Sequence, residues 1–346
     1  MNTNIKVEEI TDEQDFNPLN LSLNTSFAQS YFYGEIQKSM GRGVRRFVFE
    51  DDNGPLAFCQ FVKYSLPLGK SYLYAAYGPA VKLPFSENFL KIFKDKMLEV
   101  LKQENAIFAR LDFMPPVDQK DDLMLLDKFF KKAPRYAGAS ASFQPRVEWV
   151  IDLTQSEGEI LKNTHQKARY NIKLAQKKGV EIEIAKENFE KYFESFYSLL
   201  GETAKRGGFS LHPKSYYEKM LDICEKDKSA FFVIARYGGK DLILNFVIHY
   251  GNMATYVFGG SNEEYRNLMP AYLVQWNSIL ESKRVGRKLY SFGNVNTEKY
   301  ANTEWEGFSV FKRKFGGDVF EHSEFYDLVA SPFWYRGYNI MKRVWK

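Results

Sequence analysis

FFVIARYGGKDLILNFVIHYGNMATYVFGGS, residues 231–261, reads as three consecutive strands. Residues 231–237 and 242–250 are runs of β-branched and aromatic residues joined through Gly238-Gly239-Lys240, and residues 253–261 follow as a third strand. A helix then starts at Pro270 with Leu273, Trp276 and Leu280 on one face, and KLYSFGN (288–294) closes the set as a strand. The same order occurs earlier in the chain. RRFVFE (45–50) meets the turn Asp51-Asp52-Asn53-Gly54, then LAFCQFVKY (56–64), SYLYAAYGP (71–79), a helix from Ser86 with Leu90, Phe93, Met97 and Leu101 on one face, and AIFARLDF (106–113). Gly54 and Gly239 are 185 residues apart, Ser86 and Pro270 184, Ala106 and Leu289 183. Register this close predicts one αβ unit present twice.

A hairpin, a third strand and a crossover helix leading into a further strand is the order of elements in GNAT acyltransferases, an analogy of topology. The expected fold class is therefore α/β with two GNAT-like domains, residues 1–147 and 148–319, parting near Gln144-Pro145-Arg146. The length of 346 residues agrees with two domains. The composition, 45% apolar with 30 Phe and 22 Tyr, supplies large cores and excludes disorder over most of the chain. The N-terminal residues are polar and acidic, and no run of about 18 uncharged apolar residues occurs, so the expectation is a cytosolic, soluble protein. Cys59 and Cys224 sit in apolar stretches, as buried thiols do. His165, His212, His249 and His322 lack metal-ligand spacing, so no metal and no cofactor are expected.

Between the two copies, residues 156–226 read as a helical insertion. Ser156 and Glu159 form a capping-box pattern and Gly179 a helix stop. Leu161, Ala168, Ile172 and Ala175 mark a buried stripe. Lys162, Gln166, Arg169, Lys173 and Lys177 fall on the other face, and the stretch from Lys162 to Lys178 holds six Lys or Arg and no Asp or Glu. A solvated helix face usually mixes signs, because like charges four apart repel. This one is expected to meet an anionic partner.

KARYNIKLAQKKGV (167–180) closely resembles the segment with which the Fem family of aminoacyltransferases opens its second domain. Further blocks resemble that family in the same order: SFAQS (26–30), LPLGKSYLYAAYGPA, Arg110-Leu111-Asp112, AKRGGFSLHPKSYYEKM, TYVFGGS followed by PAYLVQW, and VFKRKFGG. The resemblance spans nearly the whole chain. It implies twin GNAT-like domains with the tail, residues 320–346, returning to the first. No stretch has the heptads of the coiled-coil arm some members carry, so the compact form is expected. It further implies transfer of an amino acid from aminoacyl-tRNA to the peptide-stem amino group of a UDP- or lipid-linked muramyl pentapeptide, for cell-wall cross-bridges, with no transmembrane segment and with peripheral membrane contact through a lipid-linked acceptor.

Attack of an amine on an activated ester needs neither a nucleophilic side chain nor a metal. It needs positioning, proton removal and a donor for the growing oxyanion. The resemblance places Lys312 in that last role, with Arg313 and Lys314 expected on other helix faces. It puts an acceptor-site carboxylate at Asp112, and an acceptor contact at His212, where an arginine can stand in the family, together with Tyr216. A family tyrosine aligns with Phe258, which leaves Tyr256, expected on the same side of an alternating strand, as a shifted substitute. A diphosphate-gripping lysine falls on Gln37 or Lys38, and charge favours Lys38. The predicted tRNA contacts are Lys162, Arg169, Lys173 and Lys177. Two other readings compete: acyl-CoA-dependent N-acyl transfer, although no Gln/Arg-x-x-Gly-x-Gly/Ala loop is present, and a non-catalytic RNA-binding module, which would make Lys312 dispensable. The amino acid transferred is not written in the sequence.

Overall fold

The computed structural model describes residues 4–22, 25–113, 119–134, 144–298 and 306–344. The chain divides into two compact units, residues 1–146 with 321–346, and residues 147–320.

In the first unit the hairpin Val44–Asp51 and Gly54–Ser65 is antiparallel and continues into Ser71–Ala75. The helix Glu87–Gln103 crosses over to Ala106–Leu111, which runs parallel to Ser71–Ala75. Ser86 caps that helix by accepting from the Phe89 amide at 3.1 Å. Its expected stripe is the core face: Leu90, Phe93, Met97 and Leu101 are buried among Phe47, Phe49, Phe61 and Phe113. The tail supplies Tyr326–Val329, antiparallel to Ala106–Leu111. There Arg110 donates two 2.8 Å bonds to the Asp327 carboxylate, both residues being 1% exposed, and the Tyr335 hydroxyl donates to the same carboxylate at 2.6 Å. Lys6–Glu9, in the polar N-terminal stretch, adds an outer strand beside Val44–Asp51.

The second unit repeats the plan. Ala230–Tyr237 and Lys240–Tyr250 form the hairpin, and Gly238 and Gly239, at φ of +57° and +77°, adopt the left-handed pair that a two-residue turn of this twist requires. Met253–Ser261 extends it, the helix Pro270–Arg284 crosses over, and Leu289–Asn294 returns parallel to Met253–Ser261. Val147–Asp152 lies antiparallel to Leu289–Asn294. Both units thus have the GNAT-like arrangement, and both expected cysteines are buried thiols.

The duplicated sheets open along different seams. In the first unit the parallel pairing runs on to Ala75↔Leu111, and it is the hairpin side that parts, beyond Val62↔Tyr74. Gln29, fully buried, closes that gap: its amide nitrogen donates to the carbonyls of Gln60 (3.2 Å) and Ala76 (2.9 Å), and its oxygen accepts from the Gln60 amide at 2.9 Å. In the second unit the hairpin side stays paired out to Ile243↔Ser261 while the parallel pairing ends at Thr255↔Ser291. Nothing equivalent to Gln29 fills the resulting opening among the described residues.

Three sequence expectations are corrected. The basic segment is two helices, Glu157–Asn163 and Gln166–Lys177, not one. Thr164 leaves helical geometry at ψ 136°, its hydroxyl bonded to the Ile160 and Phe315 carbonyls, and His165 caps the second helix. The capping box at Ser156 and the stop at Gly179 are both present, the latter with the paired bonds Gly179 N to Gln176 O and Val180 N to Ala175 O that close a Schellman turn. Next, the insertion is not wholly helical: Glu181–Ala185 pairs with Ala230–Tyr237 as an edge strand, its Glu-Ile-Glu-Ile alternation being the overlooked signal. Finally, Tyr256 and Phe258 do not share a side. Val247 pairs with Tyr256 and Phe246 with Phe258, so Val257 is an extra residue, a β-bulge that reverses the alternation across it.

Candidate active site

The bulge and the early end of the parallel pairing together make a cavity of about 880 Å³ within the second unit. Tyr256 faces it, whereas Phe258 packs on Tyr217 on the opposite side of the sheet, ring centroids 5.3 Å apart. The Tyr256 ring lies back along its own strand: a Cβ at Gly259 would stand 1.8 Å from the Tyr256 hydroxyl oxygen. At Gly260 a Cβ would meet the backbone of Leu199 and Leu200 in the helix Glu190–Gly207 at 2.6 to 2.7 Å. The two glycines therefore leave room for a phenol on one face and a helix on the other. Burial pushes the Tyr256 phenol up to about 12, so it stays a neutral donor.

Lys312 enters the cavity from the last turn of the helix Glu306–Arg313. That helix is moored by Asn296, whose amide donates to Ser309 Oγ at 2.9 Å and whose side-chain nitrogen donates to Glu306 at 3.1 Å. Lys312 Nζ donates to the Asn294 carbonyl at 2.5 Å, where the crossover strand ends. Burial draws its ammonium down from 10.5 to about 8, with Glu148 pulling the other way. At pH 7 the side chain is then mainly cationic. Glu148 is itself buried and accepts from the Ser291 hydroxyl.

The neighbours of Lys312 do not both turn away. Arg313 does: it donates to the Asn296 carbonyl and lies over Trp149. Lys314 lines the same cavity as Lys312, contrary to expectation, because the helix has ended at Arg313 and helical spacing no longer sets its direction. Lys167, Arg206 and Gln275 also line the cavity. The sequence reading missed them as site residues, although each lies in a block that resembles the Fem family. Gln275 is fixed from behind, accepting from Asn245 at 2.8 Å and donating to the Tyr290 hydroxyl.

Of the expected tRNA contacts, Lys162, Lys173 and Lys177 are exposed and make no ion pair among the described residues. Arg169 is committed elsewhere: its guanidinium donates to the carbonyls of Lys162 (2.9 Å) and Thr164 (2.6 Å), bracing the break between the two helices. His212 and Tyr216 do meet, ring centroids 4.3 Å apart at the start of the helix Lys214–Lys226, but they are not among the residues lining the cavity. Pro213 occupies the cap position of that helix.

The remaining expected residues belong to the first unit. Lys38 is exposed and pairs with Glu35 at 2.9 Å, while Gln37 is buried and accepts from Arg42. Asp112 is only 2% exposed. One carboxyl oxygen accepts from the Tyr74 hydroxyl at 2.5 Å and the Tyr77 amide at 3.1 Å, and the other has no hydrogen bond among the described residues. Burial pushes this carboxyl up to about 7 against the pull of Tyr74, Tyr77 and the nearby Arg146 and Arg110. Among the described residues no group of His, Cys, Asp and Glu is arranged to hold a metal ion.

The profile of the FemAB family matches residues 14–245 and 237–343. A UDP-N-acetylmuramoylpentapeptide-lysine N(6)-alanyltransferase of Weissella viridescens is 26% identical over 302 residues, covering 83% of this chain and 86% of the relative. A lipid II:glycine glycyltransferase of Staphylococcus aureus (strain USA300) is 21% identical over 378 residues, covering 89% of each. Among solved structures, a crystal structure of FemX superimposes with a TM-score of 0.85 at 19% identity, covering 97% of this chain and all of that one.

Proposed function

The chain belongs to the FemAB family, and from that premise we propose that it moves an amino acid from aminoacyl-tRNA to the peptide-stem amino group of a peptidoglycan precursor. The observation that carries this reading is the Lys312 ammonium, held at the point where the parallel strands of the second unit separate and facing a cavity that Tyr256 also lines. The amine nitrogen bonds to the ester carbon, the carbonyl oxygen becomes anionic, and the carbon–oxygen bond to the ribose breaks. A proton leaves the nitrogen and the ribose oxygen takes one up. Lys312 stabilises the oxyanion, and the Tyr256 hydroxyl supplies a second, neutral donor.

Lys162, Lys173 and Lys177 are the proposed contacts to the tRNA phosphates, joined by Lys167 and Arg206 at the cavity. Arg169 supports that surface by holding its two helices together. For the acceptor we keep Lys38, His212 and Tyr216 as binding residues. Asp112 is the proposed acceptor-site carboxylate, for the ammonium of the peptide stem. Charged tRNA and the precursors are made in the cytoplasm, which is where we place the enzyme. Among the described residues no helix is long and apolar enough to cross a membrane.

The test offers pooled charged tRNAs to the protein with a UDP-linked or a lipid-linked pentapeptide and weighs the products. One or more aminoacyl increments that require charged tRNA are expected, and the increment identifies the amino acid. Acetylation from acetyl-CoA in place of that product would give the activity to acyl-CoA chemistry, and tRNA binding without any product would leave only an RNA-binding module.

A further inference from the structure

The helix Pro332–Val344 of the first unit packs one face on an aromatic cluster, burying Tyr335 and Tyr338 beside Tyr72 and Phe108, with Trp334 partly buried at its edge. At about 100° per residue, the sector beyond Trp334 carries Phe333, Ile340 and Met341. These are 79%, 63% and 45% exposed. The apolar surface of this helix thus does not stop where solvent begins. Arg336 and Arg343, seven residues apart, border the exposed sector, and residues 332–344 contain no Asp or Glu.

A second element presents the same chemistry. The turn between the strands Gly54–Ser65 and Ser71–Ala75 holds Leu68 at its tip, 78% exposed, at a φ of +60°. A leucine adopts that left-handed backbone at a cost. Lys70, two residues on, places its ammonium 5.6 Å from the centre of the Trp334 ring, which puts this tip next to the start of the helix.

We propose that this face, formed by Phe333, Ile340, Met341 and Leu68, docks on the surface of a bilayer containing anionic phospholipid. The apolar side chains enter the boundary between headgroups and acyl chains, while Arg336, Arg343 and Lys70 meet the lipid phosphates. Trp334, apolar with one polar edge, stands where such rings collect at an interface. A helix with arginines at its border and no carboxylates matches a sheet of negative charge better than a protein groove of mixed sign. Docking of this kind brings the chain to acceptors held in the membrane, yet it is measured by binding alone, so its failure and that of the transfer reading are distinguishable.

The experiment is cosedimentation of the full chain with vesicles of phosphatidylcholine, with and without phosphatidylglycerol. The parent should bind the mixed vesicles, weaken with salt, and bind neutral vesicles at least about tenfold less. Phe333→Ser with Ile340→Ser should lose about tenfold or more in partition, as should Arg336→Gln with Arg343→Gln, at unchanged melting temperature since all four side chains are exposed. Phe209→Ser, an exposed aromatic of the second unit, should bind like the parent. A parent that binds neither vesicle overturns the proposal, as does a Phe333→Ser, Ile340→Ser variant that binds undiminished. A solution dimer that this variant converts to monomer assigns the face to a second copy and overturns it equally.

Discussion

Replacing Lys312 with methionine keeps the stem and removes the cation, so stability and turnover should move apart. The ammonium is held at about 8 in place of 10.5. At about 1.4 kcal/mol per unit, retaining the charge costs the folded state on the order of 3.5 kcal/mol before discounting, and less because water reaches part of the side chain. Losing the bond to the Asn294 carbonyl forfeits about 1.5–3 kcal/mol in the other direction. Lys312→Met should therefore melt within a few degrees of the parent at pH 7. Below about pH 8 both folded and unfolded lysine are protonated and the cost is fully present. Between there and 10.5 the unfolded chain binds more protons, so the parent gains stability on the variant as pH rises, and above that range the cost is gone. Turnover should behave differently, with kcat falling on the order of 10²–10³-fold and substrate binding retained. In the parent, transfer should decline as pH rises through about 8, where the cation is lost. Single-turnover transfer and thermal melts on the same samples read both quantities. Near-parent turnover in Lys312→Met, or a melting temperature far below the parent's, would refute the oxyanion assignment. Arg313→Met is not a neutral comparison, since Arg313 braces Asn296, and Lys314→Met should show an intermediate loss because Lys314 lines the same cavity.

Lys173→Glu with Lys177→Glu should weaken tRNA binding and flatten its salt dependence by about 0.9 for each phosphate no longer neutralised, read from affinities at several salt concentrations. Alanine at Lys38 or His212 should raise the acceptor KM and leave tRNA affinity alone in steady-state kinetics. Asp327→Ala should destabilise the first unit by about 3–5 kcal/mol in denaturant titration, because it strands the buried Arg110 guanidinium. Gly259→Ala should cost about 1–3 kcal/mol and lower transfer, because the new methyl occupies the place of the Tyr256 hydroxyl, and a crystal structure would show the ring displaced.

What was legible in the sequence is what local chemistry fixes. The glycine pair at 238–239, the serine before Glu87, the 3.6-residue stripe through Phe93 and Met97 and the stop at Gly179 each act within a turn or two of chain. The misreadings share a different cause. The helix breaks at Thr164 because its hydroxyl bonds a carbonyl at Phe315, 151 positions away. The side of the sheet taken by Tyr256 depends on a register shift against a neighbouring strand, which no alternation within residues 253–261 reveals. Lys167 and Arg206 join Lys312 only once three separate helices surround the cavity, and the burial that lowers the Lys312 ammonium comes from that same packing. The resemblance in sequence pointed to Lys312 directly, and to Tyr256 only as a substitute for Phe258, whose side of the sheet Tyr256 does not share.

The different seams of the two sheets have a consequence for counting. In the first unit the strand Ser71–Ala75 stays locked to its parallel neighbour and the parted edge is stitched by Gln29, so the described residues of that copy leave no opening at the seam matching the one beside Lys312. A duplicated chain of this kind should saturate at one aminoacyl donor per polypeptide rather than two. On the proposed reading, the reacting ester lies in the second αβ unit alone.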